Sequence, residues 1–200
     1  GGMEHAGAIF YREDSLVFDH RPTELETTNQ STLVYHELTH QWFGNLVTMA
    51  WFDDLWLKEG FANLMAYEVL DALEPERLAW LRFHQRLKER AYRIDATDGT
   101  TAIFQPLANL ADAKSAYGEI VYDKAPAVLR ELSVRLGAQR FRDGLRRYLK
   151  AHAWANARWK NLIDAWTAAG ATDLGTWSKR WVLEACMPSV RAEWSVGPDG

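Results

Sequence analysis

The sequence predicts an α+β domain that is mostly helical, with a small β element at its N-terminal end. Three observations predict this. Ala6 to Arg12 is rich in strand formers and stands ahead of everything helical. From Thr27 to about residue 185, most of the chain reads as helical segments joined by short polar connections. Pro75, Gly137, Gly170 and Gly175 punctuate those segments where helices start or stop.

The elements follow in order. Ala6 to Arg12 is a short strand. Pro22 and the Thr23 to Thr28 region form a polar connection, and Thr27 or Thr28 caps a helix that runs to about Phe43. Leu46 to Met49 is a brief extended piece. Asp53 and Asp54 precede a helix through Glu59 and on to Leu70. Pro75 opens another helix, to about Arg93. Asp95 to Pro106 carries Thr, Gly, Pro and Asp and reads as a long loop. Tyr117 to Leu136 is helical, with Pro126 inside it. Three further helices lie near 139–152, 158–169 and 174–185, and Pro188 ends the run. Val190 to Val196 looks like a strand that opens something further along. Residues 1–189 therefore read as one domain, and 190–200 as a linker or the start of a following domain.

The chemistry concentrates in HELTH at 36–40, with a second acid at Glu59. His36 and His40 are four apart, so both imidazoles share one helix face and can grip one metal ion. Glu37 lies between them, within reach of the water that such a metal activates. Two nitrogens and one carboxylate leave a fourth tetrahedral position open, as hydrolytic zinc requires. Tyr35, Leu38, Trp42 and Phe43 surround the motif, so the helix is expected to be buried on much of its surface. Two buried histidines and a glutamate need partners, and a metal provides them. A zinc hydrolase centre of the peptidase kind follows.

Composition narrows the other options. With 48% apolar and 12% aromatic residues, 200 residues easily supply a core, and most of the ten tryptophans are expected to pack helices. A net charge of −4 gives no electrostatic pull toward nucleic acid. Arg140, Arg142, Arg146, Arg147 and Lys150 read as a solvated helix face, as do Arg82, Arg86, Lys88, Arg90 and Arg93. The single cysteine, Cys186, cannot form an internal disulfide and reads as a small core residue. That leans away from disulfide-rich secreted proteins and toward the cytoplasm, with the compartment otherwise open. There is no apolar run long enough to span a membrane. The start at Gly1-Gly2 reads like a piece cut from a longer protein.

Peptide hydrolysis also needs an oxyanion donor. Tyr122, in VYDKAPAVLREL, is the first candidate, and Tyr117 competes on composition alone.

Gly1-Gly2-Met3-Glu4-His5, then HELTHQWFGNLVTMAWFDDLWLKEGFANL, then VYDKAPAVL, resembles the zinc aminopeptidases of the aminopeptidase N type. These are gluzincins with a thermolysin-like catalytic domain, in which eighteen residues separate HExxH from a third, glutamate ligand; positions 41–58 are those eighteen here. The resemblance covers nearly the whole chain. It implies that His36, His40 and Glu59 hold one Zn2+ and that Glu37 is the general base. It implies that Tyr122 stabilises the tetrahedral intermediate and that Glu4 binds the α-ammonium of a peptide with a free N-terminus. Gly2, Met3, Glu4 and His5 would bind substrate, the strand pairing with its backbone.

Two positions depart from the family pattern. His5 stands where the motif ends in Asn, which alters substrate positioning. Ala125-Pro126 replaces a Gly and a small residue, which changes the turn that places Tyr122. Full-length members carry an upstream β domain and a downstream helical domain, both outside these residues. Two other readings stay open: a silent binding or scaffold protein of the same fold, and another zinc hydrolase, an endopeptidase or epoxide hydrolase. The intact metal set argues against the first. Glu4 argues against a plain endopeptidase.

Overall fold

A computed structural model describes residues 1–187, 191–195 and 197. The helical body is as expected, but several boundaries move. Gly2–Met3 (β1) pairs antiparallel with Phe10–Tyr11 (β2), Gly2 opposite Tyr11 and Met3 opposite Phe10. The strand expected from Ala6 to Arg12 is thus confined to its end. Gly7 sits at φ 79° and the Ala8 N–H donates to the His5 carbonyl at 3.1 Å, so the chain turns there.

Helix α1 spans Glu24–Thr39. Its start is earlier than Thr27 or Thr28 because Thr23 and Glu26 form a reciprocal cap. The Glu26 N–H donates to Thr23 Oγ1 at 3.2 Å, and the Thr23 N–H donates to Glu26 Oε2 at 2.8 Å. The helix stops at Thr39, short of Phe43, and a tight turn leads into Val47–Met49 (β3).

A 3-10 turn, Phe52–Asp54, then feeds α2, Trp56–Leu73. This helix is apolar on every side, and Phe61, Leu64 and Leu70 are fully buried, so it takes the centre of the fold. It packs on α1 and, across from it, on residues 120–136. Gly60 permits the second contact, since a Cβ there would lie 3.0 Å from the Ala125 Cβ.

The helix expected from Pro75 to Arg93 is broken. Pro75–Arg77 is a 3-10 turn, Leu78 sits in the left-handed region at φ 50°, and Ala79–Phe83 (α3) follows. A π-type turn, His84–Lys88, leads to Glu89–Asp95 (α4). The basic series here is not simply solvated. Arg82 pairs with Glu24 at 2.7 Å, Arg86 donates to Asn29 at 2.7 Å, and Arg90 pairs with Asp123 at 2.9 Å.

After a 3-10 segment, Leu110–Ala116, a π-type turn at Ile120–Lys124 runs into α5, Ala125–Leu136. Pro126 sits in the first turn of α5, where its missing N–H costs no helical bond. Helix α6 is Ala138–Ala151. It turns Phe141, Leu145 and Tyr148 inward and leaves Arg140, Arg142, Arg146, Arg147 and Lys150 exposed, as predicted. Ala155–Ala157 (β4) pairs parallel with β3. Trp159–Ala168 (α7) and Leu174–Ser178 (α8), the latter extended by a π-type turn at Lys179–Leu183, complete the body.

Trp56, Trp166 and Trp177 are buried as expected, whereas Trp154 and Trp194 are 85% exposed. Cys186 is exposed, contrary to its reading as a core residue: the helix has ended at Leu183 and the chain has left the core. Residues 191–195 form no strand and pair with no strand among the described residues. Pro188, Val190 and Val196 lie outside those residues. No helix among them is long and apolar enough to cross a membrane.

Asp54 ties the two halves together. It is fully buried, accepts the Trp159 N–H at 3.3 Å on Oδ2, and has no partner for Oδ1. Burial, reinforced by the Asp53 charge, pushes its pKa from 3.8 up to about 7, against the Trp159 bond and Arg158. The folded state thus holds this proton more tightly than the unfolded chain. The stability it contributes is complete below the unfolded pKa and is lost as pH rises through about 7. Asp54→Asn, which cannot ionise, should therefore gain on wild type by on the order of 2 kcal/mol between about pH 5 and pH 8. Denaturant melts at both pH values measure this, and parallel wild-type and variant profiles would refute it.

Candidate active site

The end of α1 and the first turns of α2 bring the metal-ligand candidates together. His36 Nε2 and His40 Nε2 lie 3.1 Å apart. Glu59 Oε2 reaches both, at 3.4 Å and 3.3 Å. On the far side of each ring, His36 Nδ1 lies 2.7 Å from Asn63 Oδ1 and His40 Nδ1 lies 3.0 Å from the Phe43 carbonyl. Asn63 Nδ2 donates to the Tyr122 carbonyl at 2.6 Å, which fixes which end of the amide faces His36. Both Nδ1 partners are acceptors, so each ring carries its proton on Nδ1 and aims an Nε2 lone pair inward.

Two facing lone pairs and a buried Glu59 oxygen without a hydrogen-bond donor form a site that a shared cation would satisfy. Burial opposes ionisation of Glu59, but the neighbouring His36 and His40 and the Lys58 charge outweigh it and hold the carboxyl far below the usual range. Burial likewise disfavours a charged His40, yet Glu59 raises its pKa on balance. The cluster attracts positive charge. Its donor set of two imidazoles and one carboxylate fits a zinc ion with one open position.

Glu37 is buried and turned to the neighbouring side. Its Oε2 has no partner, and burial above all raises its pKa, tempered by His36 and His40. Gly2 lies directly against it: a Cβ at this position would overlap the Glu37 carboxylate where it stands, so any other residue here would displace that side chain. A cleft of about 390 Å³ opens here, lined in part by Gly2, His36, Glu37, Asn63 and Tyr122.

Glu4 is buried at the end of β1 and could itself join Glu37 and His40 around a cation, but its carboxylate is engaged by Lys58. Its carbonyl accepts from Asn45 Nδ2 at 2.7 Å. Gly2 and Met3 are exposed, and no strand pairs with the other edge of β1 among the described residues. His5 stands outside the buried cluster, its ring edge-on to Phe10 at 5.4 Å.

Tyr122 comes from the π-type turn before α5. Its ring lies 6.3 Å from that of His36, close to parallel. Burial first, and the Glu59 charge second, push its pKa far above the ordinary phenol value, so it remains a proton donor. Two ion pairs clamp this turn to α4: Lys124 with Asp95 at 2.8 Å and Arg90 with Asp123 at 2.9 Å. Tyr117 is also close, 6.3 Å from Tyr122 between ring centres, but it is exposed.

The surroundings of the motif differ from expectation. Leu38 and Trp42 are 44% and 53% exposed, and what α1 buries around the site is Glu37 and Thr39, followed by His40. Sequence reasoning missed three participants. Asn63 stands four residues after Glu59 on the same helix, so spacing alone could have placed it on the site face. Lys58 and Asn45 carried no such signal.

The peptidase family M1 domain matches residues 1–181. The chain belongs to that family. It is 39% identical to an aminopeptidase N from Lactobacillus helveticus over 202 aligned residues, covering 100% of this chain and 24% of the relative. Identity is 36% to aminopeptidase N of Streptomyces lividans, covering 100% and 24%. It is 35% to aminopeptidase M1 of Arabidopsis thaliana, covering 96% and 22%. This M1 chain therefore spans about a quarter of the length of these relatives.

Proposed function

We propose that this M1 chain is the metal-holding core of a zinc aminopeptidase that removes N-terminal residues from peptides. The observation that carries the proposal is the buried Glu4 carboxylate set beside Glu37 and the metal-ligand candidate His40. An acid there recognises a free α-ammonium and places the first peptide bond at the site.

His36, His40 and Glu59 would hold the zinc. The ion supplies Lewis acidity, which lowers the pKa of water and polarises a carbonyl. Glu37 takes the proton of the attacking water and passes it to the leaving amine; its buried, unpartnered oxygen and raised pKa suit both tasks. Tyr122 donates its hydroxyl proton in a hydrogen bond to the oxygen that gains charge in the transition state. The exposed Gly2 and Met3 backbone pairs with the substrate as an added strand. We assign residues 1–189 to the catalytic domain and 190–200 to a linker or following domain. The relatives' remaining length accommodates an upstream β domain and a downstream helical domain.

The test compares an amino-acid anilide with its N-acetyl form, on wild type and Glu4→Ala of the intact protein. Acetylation removes the ammonium and with it the charge-assisted contact to Glu4, which should lower kcat/KM about a hundredfold or more. Glu4→Ala should weaken the free-amine substrate and narrow that preference. Equal cleavage of both substrates by wild type would sink the aminopeptidase proposal and favour an endopeptidase.

A further inference from the structure

The acid that anchors the substrate amine already has a cation. Lys58 Nζ contacts Glu4 Oε1 and lies 3.1 Å from Glu59 Oε1. The Lys58, Glu4 and Glu59 side chains are 11%, 10% and 4% exposed. The lysine stem is enclosed as well. Gly44 sits at φ 134° and has no Cβ; one built there would lie 3.5 Å from the Lys58 Cβ, so the turn after α1 lies close over the stem. The next residue, Asn45, holds the Glu4 backbone. Lys58 is therefore a built-in ammonium between the amine anchor and a metal ligand, and no step of the proposed reaction uses it.

A substrate ammonium approaching Glu4 meets a carboxylate that is half engaged, with the engaging charge at contact distance. In a buried site two such cations repel far more than in water. The incoming ammonium gains a share of one ion pair and not a whole one. We propose that Lys58 is a specificity-determining residue, an internal competitor in the amine subsite that weakens binding of the substrate α-ammonium. It thereby favours release of the free amino acid that the reaction produces. This rests on the aminopeptidase reading of Glu4. A purely structural Lys58 would instead hold Glu4 in place, and its removal would weaken amine binding.

The two roles predict opposite signs. Calorimetry on the intact, zinc-loaded protein would compare leucinol, a free amine that cannot be hydrolysed, with N-acetyl-leucinol. Lys58→Met should bind leucinol at least about tenfold more tightly than wild type, with little change for the acetyl form. Lys58→Arg keeps the charge and should match wild type. Lys58→Gln keeps a hydrogen-bond donor to Glu4 without the charge, and should show the tightening even if Lys58→Met does not fold. Leucinol binding that is unchanged or weaker in a folded, uncharged variant overturns the competitor role alone. A wild type that binds both ligands equally overturns the reading of Glu4, and this inference with it.

Discussion

Replacing Glu37 by Gln should leave zinc bound and reduce turnover by about two to four orders of magnitude. The substitution is nearly isosteric. The side chain still fills the buried space beside Gly2, and His36, His40 and Glu59 remain to hold the metal. What disappears is the ability to accept a proton. Zinc content should therefore stay at about one per chain in both proteins, while kcat falls and KM for an anilide moves little. The measurement pairs metal analysis with steady-state kinetics on the intact protein. Loss of zinc in Glu37→Gln would make Glu37 a ligand. Near wild-type turnover would place the base elsewhere.

His40→Ala should have the opposite profile, with the metal itself lost. The ring supplies one of three converging ligand atoms and is almost wholly buried. Two remaining ligands cannot close the coordination sphere, and zinc affinity should drop more than about a hundredfold. A readout independent of turnover is available. A ligand that binds the folded state raises its melting temperature, so zinc should raise that of wild type and not that of His40→Ala. The metal-free variant should be no less folded than metal-free wild type by circular dichroism. That comparison separates a lost site from a lost fold. If zinc stabilises both proteins equally, the ion binds somewhere other than His36, His40 and Glu59.

Much of the site was legible in the chain because its chemistry is written in short spacings. His36 and His40 share a helix face by geometry alone, and Glu37 must then sit beside them. The resemblance carried the roles of Glu59, Tyr122 and Glu4 onto their positions; in the structure Glu59 meets both histidines, Glu4 lies beside Glu37 and His40, and Tyr122 lines the same cleft as His36 and Glu37. The helical body was legible for the same reason: Gly137 and Gly170 act locally, through φ preferences that need no tertiary context. Local reading failed where two local signals competed. Thr27 and Thr28 looked like caps, but Thr23 won because Glu26 stands three residues on and completes a reciprocal pair.

Tertiary structure alone decided which groups meet. The Lys58 contact with Glu4 joins residues 54 apart, and the link from Asn63 to the Tyr122 carbonyl joins residues 59 apart. The close approach of Gly2 to the Glu37 carboxylate arises only when β1 is laid against α1. Burial was non-local too. Leu38, Trp42 and Cys186 are apolar by composition, yet they are exposed, because α2 fills the centre. The sequence by itself determined which residues could bind a metal and move a proton. The packing of α1 and the Ile120–Lys124 turn on α2 decided which of them lie together, because charge and burial depend on neighbours that spacing along the chain does not name.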